Sequence, residues 1–138
     1  MADLPRVLVR VRVLLDAHVF LWSADHVELL PPPVYDLVSD TRTRLVVSVA
    51  TTWELTIKAL AGKLTLPKPP HEHFTEHVER FGCELLPVHQ RHVAALQELP
   101  AIHADPFDRM LVAQALVEDL DLVTGDEVLQ SYPIRTIW

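Results

Sequence analysis

Glycine and cysteine are scarce in this chain: three glycines and one cysteine among 138 residues. Gly62, Gly82 and Gly125 stand too far apart to form a G-x-G-x-x-G or G-x-x-x-x-G-K-[ST] loop, so no phosphate-cradling nucleotide motif is present. Cys83 has no partner for an internal disulfide and reads as a small buried hydrophobe in a reducing cytoplasm. Long apolar runs are missing too. None approaches the roughly 20 residues needed to span a bilayer. The Val/Leu run at the start is interrupted by Arg6, Arg10 and Arg12 and lacks a small-residue cleavage site, so a secretory signal is not expected. Basic residues are in deficit: 12 Lys and Arg against 19 Asp and Glu, a net charge of −7. Holding nucleic acid by bulk electrostatics needs massed Lys and Arg, and this chain lacks them. Phosphate held through a metal ion remains open to it.

Apolar residues make up 49% and charged residues 22%, a globular balance. The length predicts a single domain over residues 1–138, able to bury about two-thirds of its unfolded surface. Residues 6–15 ("RVLVRVRVLL") are Val-rich and alternate at first, which predicts a strand. A short helix is expected over 17–24 and another over 34–40, after three prolines. Residues 44–50 are a β-branched strand. In the helix that follows, Trp53, Ile57 and Leu60 recur at helical spacing and Gly62 is the stop. "PKPP" turns into a helix ending near Phe81 and Gly82. Then come a strand at 83–88, a helix at 89–99, a long helix at 105–120, a short strand within 121–126, a helical turn at 127–132 and a closing strand at 133–138. Strands separated by helices predict a parallel sheet covered on both faces, an α/β fold.

Ligands of open parallel sheets sit beyond the carboxyl ends of the strands. Asp16 ends the first strand, and Glu54 lies in the helix after the second. Asp108 lies in the first turn of the long helix before the fourth strand, and Asp126 lies just past that strand. A parallel sheet therefore brings all four acids to one edge. Such a group raises its own pKa values unless a cation resolves the repulsion. Mg²⁺ or Mn²⁺ suits it, because a few carboxylates and water satisfy a hard ion. A cation held this way suits phosphodiester cleavage.

Each acid also has a plainer reading. Asp16 suits an N-cap for the helix at 17, and Glu54 suits an ion pair with Lys58 at i,i+4. In "DPFD", Asp105 fits the N-cap, Pro106 the first helical position and Asp108 the third. Asp126 suits a turn after Gly125. Their joint placement favours the site reading. His73 and His77 share a helix spacing used by zinc ligands, but H-E-x-x-H is absent and no Cys lies near, so they read as a solvated face. His18 and His103 stand closer to the acids. Either suits proton transfer near neutral pH, with a structural role the plainer reading. Trp22, Trp53 and Trp138 read as core or interface anchors. Arg109 and Lys58 are near enough to the acids to reach phosphate, with a surface salt bridge the plainer role for each.

"LLDAHVFLW", "SVATTWELTIKALAGKL", "DPFDRMLVAQAL" and "LVTGDE", in that order and with a final "IW", resemble PIN-domain proteins, above all VapC-type toxin ribonucleases of toxin–antitoxin pairs. The resemblance spans residues 13–138 and leaves 1–12 as an extension. It implies a three-layer α/β/α sandwich on a parallel sheet of order 3-2-1-4-5. It also implies an Mg²⁺- or Mn²⁺-dependent endoribonuclease, a homodimer, and a cognate antitoxin that covers the cleft. By position, the family's acids fall on Asp16, Glu54, Asp108 and Asp126, as metal ligands and catalytic residues, with Thr124 placed to orient an acid or water. Asp105 is an extra acid and first a helix cap. Ala17 stands where similar sequences more often have Thr, which removes one hydroxyl contact. The expected reaction is in-line attack of an activated water on an RNA phosphodiester, leaving a 5′-phosphate and a 3′-hydroxyl. One rival is a PIN-like protein-binding module without catalysis, against which the four retained acids argue. Another is a response-regulator-like signalling domain. That rival wants two adjacent early acids and a Lys after the last strands, and neither is present.

Overall fold

The computed structural model describes residues 11–138. Five strands, β1 (Val11–Leu15), β2 (Thr43–Ser48), β3 (Glu84–Leu86), β4 (Asp121–Val123) and β5 (Thr136–Ile137), form one sheet in the order 3-2-1-4-5. All four pairings are parallel. Among the described residues seven α-helices connect and cover them: α1 (Ala17–Asp25), α2 (Pro32–Ser39), α3 (Val49–Leu60), α4 (Pro70–Phe81), α5 (Gln90–Ala95), α6 (Pro106–Glu118) and α7 (Glu127–Gln130). The order 3-2-1-4-5 agrees with the expected topology, and the predicted strand over residues 6–10 lies outside the described residues. None of the described helices is long and apolar enough to cross a membrane.

Alternation along β1 builds the two cores. Leu14 joins Val46, Leu86 and Leu122 against α6, through Leu111, Val112 and Ala115. Val13 and Leu15 face the other way with Val47 and Val123, against Val19, Phe20, Val34, Leu55 and Phe74. Both faces of the central strands are thus buried, which explains why their sequence is nearly unbroken Val and Leu. Truncating a side chain such as Leu14, fully buried in this sheet, costs about 2–5 kcal/mol.

Helix stops follow the predicted chemistry. Gly82 ends α4 in the left-handed region at φ 60°, and Gly62 follows α3 at φ 76°. Two expectations need correction. His73 and His77 do not form a solvated face: they are 9% and 4% exposed. The face of α4 that carries them also carries Phe74 and Phe81, and it packs onto α1. His77 stacks on Phe20 at 4.1 Å and 9°. The Ser23 hydroxyl donates to the Phe20 carbonyl at 2.8 Å, so it accepts from His77 Nε2 at 3.2 Å, and Nδ1 has no partner among the described residues. Burial accordingly pushes the His77 pKa down to about 4. The second correction concerns Arg109. It makes no surface salt bridge among the described residues; its guanidinium donates to the carbonyls of Pro100 (2.9 Å) and Leu96 (3.3 Å).

Candidate metal centre at the carboxyl edge of the sheet

The site begins where β1 stops. The Asp16 amide donates to the Val123 carbonyl at 3.1 Å, tying the ends of β1 and β4 together. The chain then turns into α1, and Asp16 Oδ1 caps the helix by accepting from the Val19 amide at 2.8 Å. Capping thus occupies Oδ1 of Asp16, and the Thr124 side chain adds a hydrogen bond to the same carboxylate. Asp126 repeats the arrangement past β4: its Oδ1 accepts from the Val128 amide at 2.8 Å at the start of α7. Between them sits Thr124, fully buried, whose hydroxyl accepts from the Asp126 amide at 3.1 Å. Asp16 and Asp126 line one cleft of ≈ 330 Å³ with His18, Trp22, Gly125 and Trp138.

Glu54 and Asp108 arrive from the other side. The Trp53 and Phe107 rings meet edge to face at 5.0 Å, docking the start of α6 on α3. Their chain neighbours Glu54 and Asp108 are thereby brought within each other's field. Glu54 is 7% exposed and held by Lys58 at 3.4 Å, the predicted i,i+4 pair. Asp105 is the predicted cap: its Oδ1 accepts from the Phe107 and Asp108 amides at 2.8 and 3.1 Å. Asp108 is left free of capping duty. Its Oδ2 meets His103 Nε2 at 3.0 Å.

Electrostatics links the four acids in a chain. Burial pushes the Asp16 carboxyl above its ordinary value, and the Asp126 charge adds to this. The Thr124 side chain, the Val19 amide and His18 offset part of it. Asp108 is pushed up to about 6, first by burial and then by Asp105 and Glu54, against the pull of His103. Asp108 and Asp126 in turn offer oxygens that lie, with a nitrogen of His103, within 4.8 Å of one another. Asp16 and Glu54 stand outside that tightest group, Asp16 beside Asp126 and Glu54 beside Asp108. The donors are mostly hard oxygens with unspent lone pairs, in a partly buried site of excess negative charge. That combination fits a small divalent cation.

Three features of the cleft go beyond the sequence reading. His103, five residues before Asp108, belongs to the tightest group. Gly125 makes room for Trp138: a β-carbon there would meet the ring at 2.5 Å, so the ring would have to move. Of the tryptophans read as core or interface anchors, Trp53 and Trp138 are 61% and 45% exposed and so are not in the core; Trp138 lines this cleft, and Trp53 lines a groove between α3 and α4.

A family model described as the PIN domain matches residues 13–134. A comparison with curated proteins gives no significant match. Among solved structures, a chain of VapBC2 from Rickettsia felis bound to a promoter DNA fragment superposes with a TM-score of 0.68 at 14% identity, covering 92% of this chain and 98% of that one. A chain of DNA-bound VapBC from Salmonella typhimurium gives 0.67 at 19%, covering 92% and 97%. A chain of FitAcB from Neisseria gonorrhoeae gives 0.58 at 18%, covering 91% and 96%. At these identities the likeness is one of fold.

Proposed function

The chain belongs to the PIN-domain family, and on that premise we propose that it is a metal-dependent endoribonuclease, the toxin of a toxin–antitoxin pair. The observation that carries the reading is the facing of Asp16 with Asp126 and of Glu54 with Asp108 at the carboxyl edge of the sheet. Lys58 is the one Lys or Arg paired with any of these four acids among the described residues. Such repulsion destabilises a fold and has a use only if a cation, Mg²⁺ or Mn²⁺, comes to occupy it.

Asp16, Glu54, Asp108 and Asp126 are the residues that would hold the ion. A cation there supplies charge neutralisation at a phosphate and a more acidic water. The helix-capping bonds fix the Asp16 and Asp126 carboxylates where both line the cleft. Thr124 holds the turn between them, and Lys58 holds the Glu54 carboxylate in place. In the proposed reaction, water attacks phosphorus in line with the P–O3′ bond. The new P–O bond gives a 5′-phosphate, and the departing O3′ takes a proton to become a 3′-hydroxyl. The chain is acidic overall, so RNA is gripped locally at the cleft rather than by a basic face.

A protein partner is supported by a different region. Val49, Trp53, Ile57 and Leu60 lie along one stripe of α3 and are 42–79% exposed. They stand beside a largely apolar groove of ≈ 530 Å³ between α3 and α4. A cognate antitoxin that anchors in this groove and extends over the acid cleft, and a homodimer elsewhere, complete the proposal. This groove is also what favours the second reading, a PIN-like binding module without catalysis.

The deciding experiment is incubation of total cellular RNA with the purified chain and Mg²⁺ or Mn²⁺, beside EDTA and Asp16→Asn controls. Discrete cuts that vanish in both controls are expected. Cuts that persist with EDTA or in the variant would contradict the proposal. Folded, metal-loaded protein that leaves RNA intact would favour the binding module.

A further inference from the structure

The loop before α6 brings a nitrogen into a cluster otherwise made of oxygens. His103 Nε2 lies 3.0 Å from Asp108 Oδ2. One ligand atom each from His103, Asp108 and Asp126 fall within 4.8 Å of one another. On an octahedral ion with bonds of about 2.1 Å, neighbouring ligands stand about 3.0 Å apart and opposite ones about 4.2 Å apart. The His103–Asp108 separation is therefore already that of two neighbouring ligands, and the Asp126 oxygen, within 4.8 Å of both, has at most about 0.6 Å to close to become a third.

The position of the ring is held from behind. The His103 backbone N–H donates to the Tyr132 hydroxyl at 2.9 Å. Arg109 donates to the same hydroxyl at 3.3 Å and to the Pro100 carbonyl at 2.9 Å. These bonds fix the loop through its main chain and through two other side chains, none of which needs the imidazole. The ring itself is left to face Asp108. His18, across the cleft beside Asp16, is not part of the three-donor group.

We propose that His103 is a direct nitrogen ligand of the divalent cation held by Asp108 and Asp126, and that it sets the preference of the site for Mn²⁺ over Mg²⁺. This rests on the reading of the cleft as a metal site. Imidazole is a better donor to the transition metals than to Mg²⁺, which keeps to oxygen ligands and water. One such donor therefore strengthens Mn²⁺ binding while leaving Mg²⁺ binding nearly where the carboxylates put it. A histidine that only hydrogen-bonded Asp108 would leave an all-oxygen shell and no such preference.

Pulsed electron paramagnetic resonance of Mn²⁺ bound to the full chain tests this without reference to activity. The expected spectrum carries the nitrogen-14 modulation of a coordinated imidazole, and His103→Ala abolishes it. Calorimetry on the same pair is expected to show Mn²⁺ affinity falling on the order of tenfold or more, with Mg²⁺ affinity little changed. The variant is expected to stay folded, since the loop is fixed by other groups; its circular dichroism checks this. Mn²⁺ bound without nitrogen coupling, and an affinity ratio unchanged in His103→Ala, would overturn the ligand assignment while leaving the cation site standing. Wild-type protein that binds no Mn²⁺, or binding unaltered in Asp108→Asn, would overturn the site reading and the assignment with it.

Discussion

Helix α6 carries an acid near each end, and the two have opposite fates. At its start, Asp108 faces Asp105 and Glu54, and its pKa is pushed up to about 6. At its end, Glu118 accepts from His92 Nε2 at 2.8 Å and from Arg91 Nε at 3.0 Å, and its pKa is held below the ordinary value. The helix dipole alone argues the reverse, since it favours acids at the N-terminus by about 0.3–1 kcal/mol. Local partners win. His92 is fully buried, and its Nδ1 accepts from the His89 amide at 3.0 Å, so Nε2 carries the hydrogen given to Glu118. One end of the helix is a completed bracket that fastens α5 to α6. The other is a charge cluster left incomplete. An acid with donors around it is architecture, whereas an acid set against other acids is a place for something positive to bind.

Neutralising each acid in turn should break the comparison most sharply in activity. Asp108→Asn is expected to lower metal-dependent RNA cleavage on the order of a thousandfold, while Glu118→Gln leaves it near wild type. Rates under identical metal concentration check this. Equal losses would mean that the two ends of α6 do not differ in role.

In stability the ranking reverses. His92→Ala leaves Glu118 short of a donor and strips Gln114 of a neighbour 3.4 Å away. The expected cost is about 3 kcal/mol in denaturant unfolding.

Asp108→Asn is expected to stabilise the metal-free protein. Its folded pKa lies above the unfolded value, so folding favours the protonated form. That contribution is complete below about pH 3.8 and is lost as the pH rises through about 6. A rise from 3.8 to about 6 corresponds to about 3 kcal/mol, and partial exposure reduces this to about 2 kcal/mol. The variant should therefore gain about 2 kcal/mol over wild type at pH 8 and nothing at pH 3.5, read from paired melts in EDTA. Added Mn²⁺ should close the gap at pH 8.

Gly125→Ala should have the smallest effect. Its β-carbon would meet the Trp138 ring at 2.5 Å, but that ring is 45% exposed and can swing away. A loss of about 1 kcal/mol is expected, with a change in Trp fluorescence that reports the shifted ring.

How much of this was legible in the sequence follows from the range of each interaction. Strand–helix alternation and the strand-end rule placed Asp16, Glu54, Asp108 and Asp126 at one edge, because backbone periodicity and sheet direction are local properties. The caps at Asp16 and Asp105 were legible for the same reason, whereas Asp126, which suited a turn, proves to cap α7. His73 and His77 misled, because polar letters on a helix suggest solvent, while the stacking partner Phe20 lies more than fifty residues away. The Trp138 ring over Gly125 depends on the pairing of β4 with β5 and leaves no local mark. His103 sat in plain view in "IHADPFD", but its approach to Asp126 is made only by the folded turn after β4.

Whether the open end of α6 takes a cation is decided by calorimetric titration of Mn²⁺ into metal-free protein at pH 5.5 and pH 7.5, with Asp108→Asn and Glu118→Gln beside wild type. Saturable binding is expected that releases more protons at pH 5.5, is lost in Asp108→Asn and is unchanged in Glu118→Gln. Binding that is absent from wild type, or indifferent to Asp108, would contradict a cation site at this edge of the sheet.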